Sequence, residues 1–460
     1  LMANVKYINP EYEAKADNWK KVRLACSANG IKDAGTLYLP MALDKDTDKY
    51  NEYKKRALYL GVTGRTRSAL VGAAFRVEPR FNADLPLVME YAEQDFDGSG
   101  ASIHQVAKRM VSEIHTTGRT GTLLDFPSIP VGASKEDELR MGVHPFAASY
   151  TAESIINWEE ITVNGKTQLS MVVLRETELE AVEGDEFQRE TVTRYRSLQL
   201  IDGYCVIRLW NSDGEQVGEP IEPMIRGKRL DFIPFYFTGS EDNKACVDEI
   251  PLESIAEINI GHYRNSADFE KNLWIHSGGT MVVSSNMDGA EWNEVNPNGV
   301  VVGADSGLKL MQGDDAKLLQ LEPASAVNEA MIRKEEQMVA IGARMITTGN
   351  INETAEAARI SASSETSTLN TIVDNVEETL NKVLQVMALA LNVEAPIYKM
   401  NRDFFDSKLT AQEYMAINTM YDMGHIAKSD VRNVLRKSGV VDAERLDSDI
   451  DSENNSDGGL

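Results

Sequence analysis

The sequence predicts an α+β protein in which a mixed first half precedes a mainly helical second half. From Ile156 onward, Asn-Gly and Asp-Gly pairs separate β-rich runs, a pattern typical of an antiparallel sheet. Apolar residues recur at helical spacing after Pro251 and again between Leu369 and Leu391. With 460 residues the chain is long enough to bury more than one hydrophobic core.

The best-defined helix of the first half covers the segment that follows Ser102. Its apolar residues share one face, Ser102 and Gln105 predict a capping box at its start, and Gly118 predicts its end. The next residues, "TLLDFP", predict a short buried strand that Pro127 terminates.

Three turn signals predict a β-meander after this strand. They are Asn164-Gly165, Asp202-Gly203 and Asp213-Gly214, and each follows an apolar run. Because both residues of such a pair tolerate positive φ angles, we expect a two-residue hairpin at each position.

The second half begins with a helix over residues 250–278 in which Pro251 occupies the first turn. Residues 279–323 return to short β-like runs. The helix that follows places Met331, Met338 and Met345 seven residues apart, which predicts a narrow seam for one neighbouring helix.

A polar interruption, "TTGNIN", separates that helix from a very long one predicted over residues 354–392. A helical pair broken at Gly424 follows, and the acidic composition of residues 442–460 predicts disorder.

The charge balance argues against a protein that clamps nucleic acid. The chain has 72 acidic and 47 basic residues, a formal net charge of −25, whereas phosphate binding uses clustered Lys and Arg. Three scattered cysteines indicate neither a disulfide framework nor a zinc site. The sequence contains no P-loop, no HExxH motif and no 18-residue apolar run, so we predict no enzyme, no cofactor, no bound metal and no membrane association.

A few weaker signals each have a structural and a functional interpretation. "TGRTGTLL" (117–124) is interpreted as a turn rather than a phosphate cradle, and His262 as a helix-packing residue rather than a ligand. Four basic residues either lie on solvated or ion-paired helix faces or form a sparse ring of charge facing a polyanion: Arg333, Lys334, Arg344 and Arg359.

Several phrases, taken in order, resemble one family along nearly the whole chain. They are "TLYLP", "YNEYKKRALYLG", "TTGRTGTLLDFP", "SYTAESIINWE", "IPFYF", "IPLESIAEINIGHYRNSADFEKNL" and "NRDFFDSKLTAQEYMAI". With the order of predicted elements, they make the chain similar to the portal proteins of tailed bacteriophages, the head-to-tail connectors of the capsid vertex.

The resemblance implies a portal fold with a mixed α/β wing, a two-helix stem, a small α/β clip and a long helix leading to an α-helical crown. The implied boundaries are wing 1–250, stem helix 251–278, clip 279–323, second stem helix 324–346, tunnel loop 347–353, long channel-side helix 354–392, and crown with acidic tail 393–460.

The resemblance also implies partners and a location. Portals of this family form dodecameric rings through which double-stranded DNA enters and leaves. The large terminase subunit docks during packaging, and adaptor or tail proteins replace it. Major capsid and scaffolding proteins surround the ring, which is assembled in the host cytoplasm and retained in the virion.

The polar interruption gains a role from this resemblance. Loops from all copies would converge on the ring axis and face DNA and water, which suits small polar residues. The implied DNA-facing residues are Thr347, Thr348, Gly349, Asn350, Ile351, Asn352 and Glu353.

Two other functions remain open at this point. Another structural ring of the head–tail connection is the first, although the long helices do not suit a tail tube built from β-barrels. A carboxylate-based hydrolase is the second, and it has no specific motif in its favour.

Overall fold

The computed structural model describes most of the chain and divides it into two compact units. The described residues are 4–40, 46–126, 144–182, 184–278, 280–296, 313–319, 325–344, 368–402, 404, 411–437, 440–441, 445–448 and 450–452. The first unit comprises residues 1–72 and 79–400, and the second comprises residues 73–78 and 401–460.

Five α-helices lie before Arg119 in the part of the chain that the structure describes, and the strongest local signals set their ends. They are α1 (Pro10–Ala25), α2 (Ala28–Asp33), α3 (Thr47–Arg56), α4 (Val62–Ala74) and α5 (Ile103–Thr117). The predicted capping box of α5 is present, with Ser102 and Gln105 bonded reciprocally, and Gly118 ends the helix at a φ of 79°. Arg23 of α1 pairs with Glu113 and Glu153, which ties α1 to α5.

The strands of the first unit form several small antiparallel sheets and one larger one. Their bounds are β1 (Arg80–Phe81), β2 (Arg119–Asp125), β3 (Phe146–Thr151), β4 (Ile155–Val163), β5 (Lys166–Ala181), β6 (Arg189–Ile201), β7 (Tyr204–Trp210), β8 (Gln216–Ile221), β9 (Met224–Ile225), β10 (Lys228–Arg229) and β11 (Phe235–Gly239). β2 is the predicted buried strand, and it lies between β11 and β3 in a three-stranded sheet.

The predicted meander is a five-stranded sheet in the order β4-β5-β6-β7-β8. Asn164-Gly165 and Asp202-Gly203 adopt positive φ at both residues, as two-residue hairpins require. The prediction for Asp213-Gly214 is wrong, because only Gly214 has a positive φ and five residues lie between the paired Trp210 and Gln216. Asn211 accepts the backbone N–H groups of Asp213 and Glu215, and this side-chain cap stabilises a longer turn.

The later elements of the first unit are mainly helical. They are α6 (Glu253–Gly278), β12 (Thr280–Ser284), α7 (Gly289–Val295), β13 (Asp315–Leu319), α8 (Ser325–Arg344), α9 (Thr368–Leu391) and β14 (Tyr398–Lys399). α6 begins two residues after Pro251, so the proline precedes the first helical turn instead of occupying it. The first part of the long helix predicted over 354–392 lies outside the described residues, and α9 covers the remainder.

α9 packs against α5 and β11 and completes the core of the first unit. Polar contacts fix its position: the Thr238 and Thr379 hydroxyls lie 2.9 Å apart, and the Asn375 side chain donates to the Gly239 carbonyl at 2.9 Å. Asn381 bonds both backbone groups of Tyr398, which attaches β14 to the same helix. The predicted apolar stripe of α9 is buried at Leu369, Ile372, Val376, Leu380, Val383 and Met387.

The second unit contains α10 (Ala411–Asp422) and α11 (Lys428–Lys437), the predicted pair interrupted at Gly424. Arg432 is nearly buried and pairs with Asp451 at 2.5 Å. Among the residues that the structure describes, no helix is long and apolar enough to span a membrane.

Candidate functional site

The two helices predicted as a stem, α6 and α8, pack side by side. At about 1.5 Å per residue, the 26 residues of α6 extend about 39 Å and the 20 residues of α8 about 30 Å. Gly342 lies against Ile255, and Glu335 reaches His262. The contacting residues therefore run in opposite sequence order along the two helices, so the helices are antiparallel.

Small and polar residues allow the close approach of α6 and α8. A Cβ atom on Gly261 would lie 3.3 Å from Lys334 Cε, so the absence of a side chain there makes room for the lysine stem. His262 is buried, and its Nε2 lies 3.0 Å from Glu335 Oε1. The predicted packing role of His262 is therefore the one observed.

The methionine seam faces α6 in part, while the rest of α8 is open. Met338 is 1% exposed and Met331 is partly buried. Val339 is 68% exposed and Ile332 is also exposed, although both are large apolar residues. Of the α8 side chains that the structure describes, only Met338 is fully buried, so the described residues leave most of the surface of α8 uncovered.

The structure describes the side chains of two of the four predicted channel charges. Arg333 is exposed, Lys334 is partly buried across Gly261, and neither forms an ion pair within the described part of the chain. For Arg344 the structure gives only the helical backbone at the end of α8. Residues 347–353, the predicted tunnel loop, and Arg359 lie outside the described residues.

The other end of the helix pair leads into a small sheet. β12 and β13 pair antiparallel over five residues, from Thr280 opposite Leu319 to Ser284 opposite Asp315. α7 follows β12 and is capped by Asp288, whose carboxylate accepts the N–H groups of Ala290 and Glu291. Strands and a short helix thus connect α6 to α8, in the segment predicted as the clip.

The weak phosphate-cradle signal at residues 117–124 is a structural turn. Arg119 is buried between the rings of Trp158 and Phe237, 4.2 and 4.5 Å from their centroids. Its Nη1 donates to the Ala245 carbonyl at 3.2 Å. Burial lowers the pKa of Arg119 to about 9, and a guanidinium enclosed in this way is not presented to a phosphate.

One cluster that the sequence analysis missed has the donor atoms of a metal site. Within the described ranges, only Asp242, Cys246 and Asp248 bring three such ligand atoms within 4.8 Å of one another. Asp242 already pairs with Lys244, and Asp248 Oδ2 accepts two backbone N–H groups. Burial raises the pKa of Asp248. Protein groups satisfy these carboxylates, so the cluster has a sufficient role in fixing the loop.

The structure also brings together three basic residues that sequence reasoning did not connect. Arg67 of α4 and Lys108 and Arg109 of α5 line one groove between the two helices. Arg67 and Lys108 are 41 positions apart in the sequence, so no local motif links them. Only their positions on facing helices bring them together.

A family model described as a domain of unknown function, DUF4055, matches residues 251–389. No curated protein sequence matches this chain. The matched range of the family model covers the α6–α8 pair, the elements between them and most of α9.

Solved structures similar to this chain come from gene transfer agent particles. A chain in the virion of a native particle is 11% identical, with a TM-score of 0.42 over 89% of this chain and 99% of that chain. A chain from the neck of an empty particle, computed with C6 symmetry, is 11% identical, with a TM-score of 0.41 over 86% and 95% of the two chains. A chain from the neck of a native particle, computed with C12 symmetry, is 12% identical, with a TM-score of 0.42 over 82% and 90%.

Proposed function

We propose that this chain is a portal protein of a tailed phage or phage-like particle. Twelve copies form a ring at one capsid vertex, and double-stranded DNA passes through its centre during packaging and ejection. The ring binds the large terminase subunit first and adaptor or tail proteins later. Its role is structural, without catalysis, and it stays in the virion with the surrounding capsid proteins.

The observation that carries this proposal is the antiparallel α6–α8 pair with the β12–β13 sheet at one end. It has the form expected of a stem with a clip, in the same chain order as the sequence resemblance implies. α8 buries one described side chain fully and leaves Ile332 and Val339 exposed, so its open face has room for a neighbouring copy. Such a face is of use in a ring, where each copy is flanked by two others.

The assignment of the loop remains part of this proposal. Residues 347–353 follow α8 directly and would border the channel, where Arg333, Lys334, Arg344 and Arg359 are the nearest basic residues in sequence. A net charge of −25 in every copy opposes adhesion of the DNA phosphates. A passage for DNA benefits from this repulsion, because the nucleic acid must move through it.

Imaging of the purified full-length chain tests the ring. We expect closed rings with a central hole in negative-stain images and a single high-order oligomer in native mass spectra. Monomers alone, over a series of concentrations and salt conditions, would overturn the proposal. Deletion of residues 348–352 should leave the rings intact and impair packaging, and loss of the rings themselves would contradict the loop assignment.

A further inference from the structure

A two-stranded ribbon extends beyond the five-stranded sheet. β4 pairs with β5 only as far as Leu174, and β7 pairs with β6 only from Tyr195. Beyond these points, residues 176–181 and 189–194 pair with each other alone within the described part of the chain. At about 3.3 Å per residue the ribbon continues for about 20 Å. An isolated two-stranded hairpin is marginally stable, so this ribbon benefits from a partner.

The two faces of the ribbon differ in chemistry. The register places Leu179 opposite Thr191 and Thr177 opposite Thr193 on one face, where Arg189 near the turn is the charged residue. On the other face Arg194 pairs with Glu178 at 2.7 Å and also contacts Glu180. Leu179 is 71% exposed, and Phe187 in the turn is 87% exposed.

The ribbon is acidic as well as exposed. Residues 176–182 and 184–194 contain six acidic residues and two arginines, which gives a net charge of −4. Glu186 and Glu190 are exposed near the tip beside Phe187. The tip therefore presents an aromatic ring flanked by carboxylates, and an apolar site with a basic rim would complement it.

The groove between α4 and α5 has this complementary character. Its volume is about 660 Å³, and small residues line much of it beside Val71: Ser68, Gly72, Ala101 and Ser112. Arg109 is paired with Asp97 at 2.6 Å. Arg67 and Lys108 form no ion pair with any described residue, and α4 contains no acidic residue at all. This concentration of unpaired positive charge is unusual in a chain of net charge −25.

We propose that the ribbon of one copy docks into the α4–α5 groove of the next copy. Phe187 packs on the small residues around Val71, and the tip carboxylates face Arg67 and Lys108. Copies that each carry a charge of −25 repel one another, so a local attraction of this kind both orients and stabilises their contact. The inference rests on the proposed ring, and it specifies which two surfaces of neighbouring copies meet.

DNA phosphate is the other chemistry that a basic groove could bind. Affinity for DNA grows with the number of phosphates that basic residues neutralise, and this groove has three cations, one of which is already paired. The acidic remainder of the chain further opposes DNA. The exposed acidic ribbon is the better match for the groove, and the experiment includes DNA binding as a separate outcome.

Charge reversal on each surface, followed by their combination, tests the contact. The groove variant is Arg67→Glu with Lys108→Glu, and the ribbon variant is Glu186→Lys with Glu190→Lys. We expect each variant to raise the protein concentration required for half-maximal ring formation at least about tenfold. All four substitutions in one chain should restore it to within about threefold of the unmodified protein. Lys6→Glu with Lys20→Glu is the control, because it makes the same charge change as the groove variant at exposed lysines.

A second measurement does not depend on the stability of charge variants. Phe187→p-benzoylphenylalanine should give, on irradiation of a mixture of isotopically labelled and unlabelled chains, crosslinks between copies that map to residues 62–74 or 103–117. Crosslinks confined to one copy or mapped to other residues overturn the inference.

The outcomes also separate this inference from the proposed ring. If the unmodified chain forms no rings, the proposed function fails. If rings form and the groove and ribbon variants assemble at an unchanged concentration, the docking inference fails while the ring stands. If the groove variant instead loses binding to a DNA duplex in a gel-shift assay and its rings persist, the groove is a phosphate site and the docking inference is again wrong.

Discussion

Gly64 should tolerate a side chain far less well than Gly72, although both lie in α4. A Cβ atom at position 64 would lie 2.4 Å from the Cys26 carbonyl oxygen, where the chain leaves α1. The obstructing atom belongs to the backbone, so relief requires the start of α4 to move away from the end of α1. At Gly72 a Cβ atom would have no neighbour within 4 Å.

The two substitutions to alanine differ in sign as well as size. Overpacking costs about 1–3 kcal/mol, and a contact with backbone at 2.4 Å belongs in the upper half of that range. Alanine in place of glycine in a helix gains about 0.5–1 kcal/mol. Gly64→Ala should therefore lower the free energy of unfolding by about 1–2 kcal/mol, and Gly72→Ala should raise it by about 0.5 kcal/mol.

Denaturant unfolding followed by circular dichroism, at a protein concentration too low for assembly, measures this difference. A gap of about 2 kcal/mol corresponds to a roughly 30-fold difference in the folding equilibrium constant. The midpoints should shift in opposite directions at an unchanged slope. Equal stability of the two variants would refute the close approach of α4 to α1. It would also refute the position of α4 beside the groove.

Three further predictions use other buried groups. Met338→Ala should lower the free energy of unfolding by about 2–5 kcal/mol, because Met338 is buried. Val339→Ala, on the exposed side of the same helix, should change the free energy of unfolding by no more than about 0.5 kcal/mol. Similar losses in the two variants would contradict the packing of α8 on α6. In a thiol titration with an aromatic disulfide reagent at about pH 8, exposed Cys246 should react first. Cys205 should react only on unfolding, because burial raises its pKa to about 12. Cys246→Ser should remove the fast phase of the reaction. Burial lowers the pKa of His115 from 6.5 to about 4, so between these pH values the unfolded chain binds a proton that the folded chain does not. The free energy of unfolding should therefore fall by about 3 kcal/mol as the pH drops from 6.5 to 4. His115→Gln should flatten this pH dependence, and an unchanged slope would count against a buried neutral imidazole.

Local signals in the sequence predicted the elements that local chemistry determines. The Ser102–Gln105 box and the Asn164-Gly165 turn are specified by a few adjacent residues, and both are present. Asp213-Gly214 has the same dipeptide signal, yet the Asn211 side chain stabilises a longer turn there, so neighbouring residues outweighed the pair.

The groove could not be predicted in this way because no local pattern encodes it. Arg67 and Lys108 are ordinary surface residues of two separate amphipathic segments, and only the packing of α4 beside α5 makes them neighbours. The same holds for Arg119, whose burial depends on Trp158 and Phe237 from distant strands. Sequence spacing gives the helix on which a charge lies, and tertiary packing decides whether that charge is solvated, buried or grouped with others.

A contact between two different surfaces has a consequence that a self-complementary contact lacks. When each copy offers a ribbon and receives one in its groove, assembly proceeds from copy to copy until the ring closes, whereas a symmetric contact stops at two. The groove variant and the ribbon variant described above should each assemble poorly alone, because their own surfaces then carry charges of the same sign. Mixed in equal amounts they should form rings again, since each reversed surface now faces an opposite charge on the other variant. Such rings must alternate in composition, so native mass spectra should contain equal numbers of the two chains in every ring. A random distribution of the two masses would mean that the ribbon and the groove do not meet.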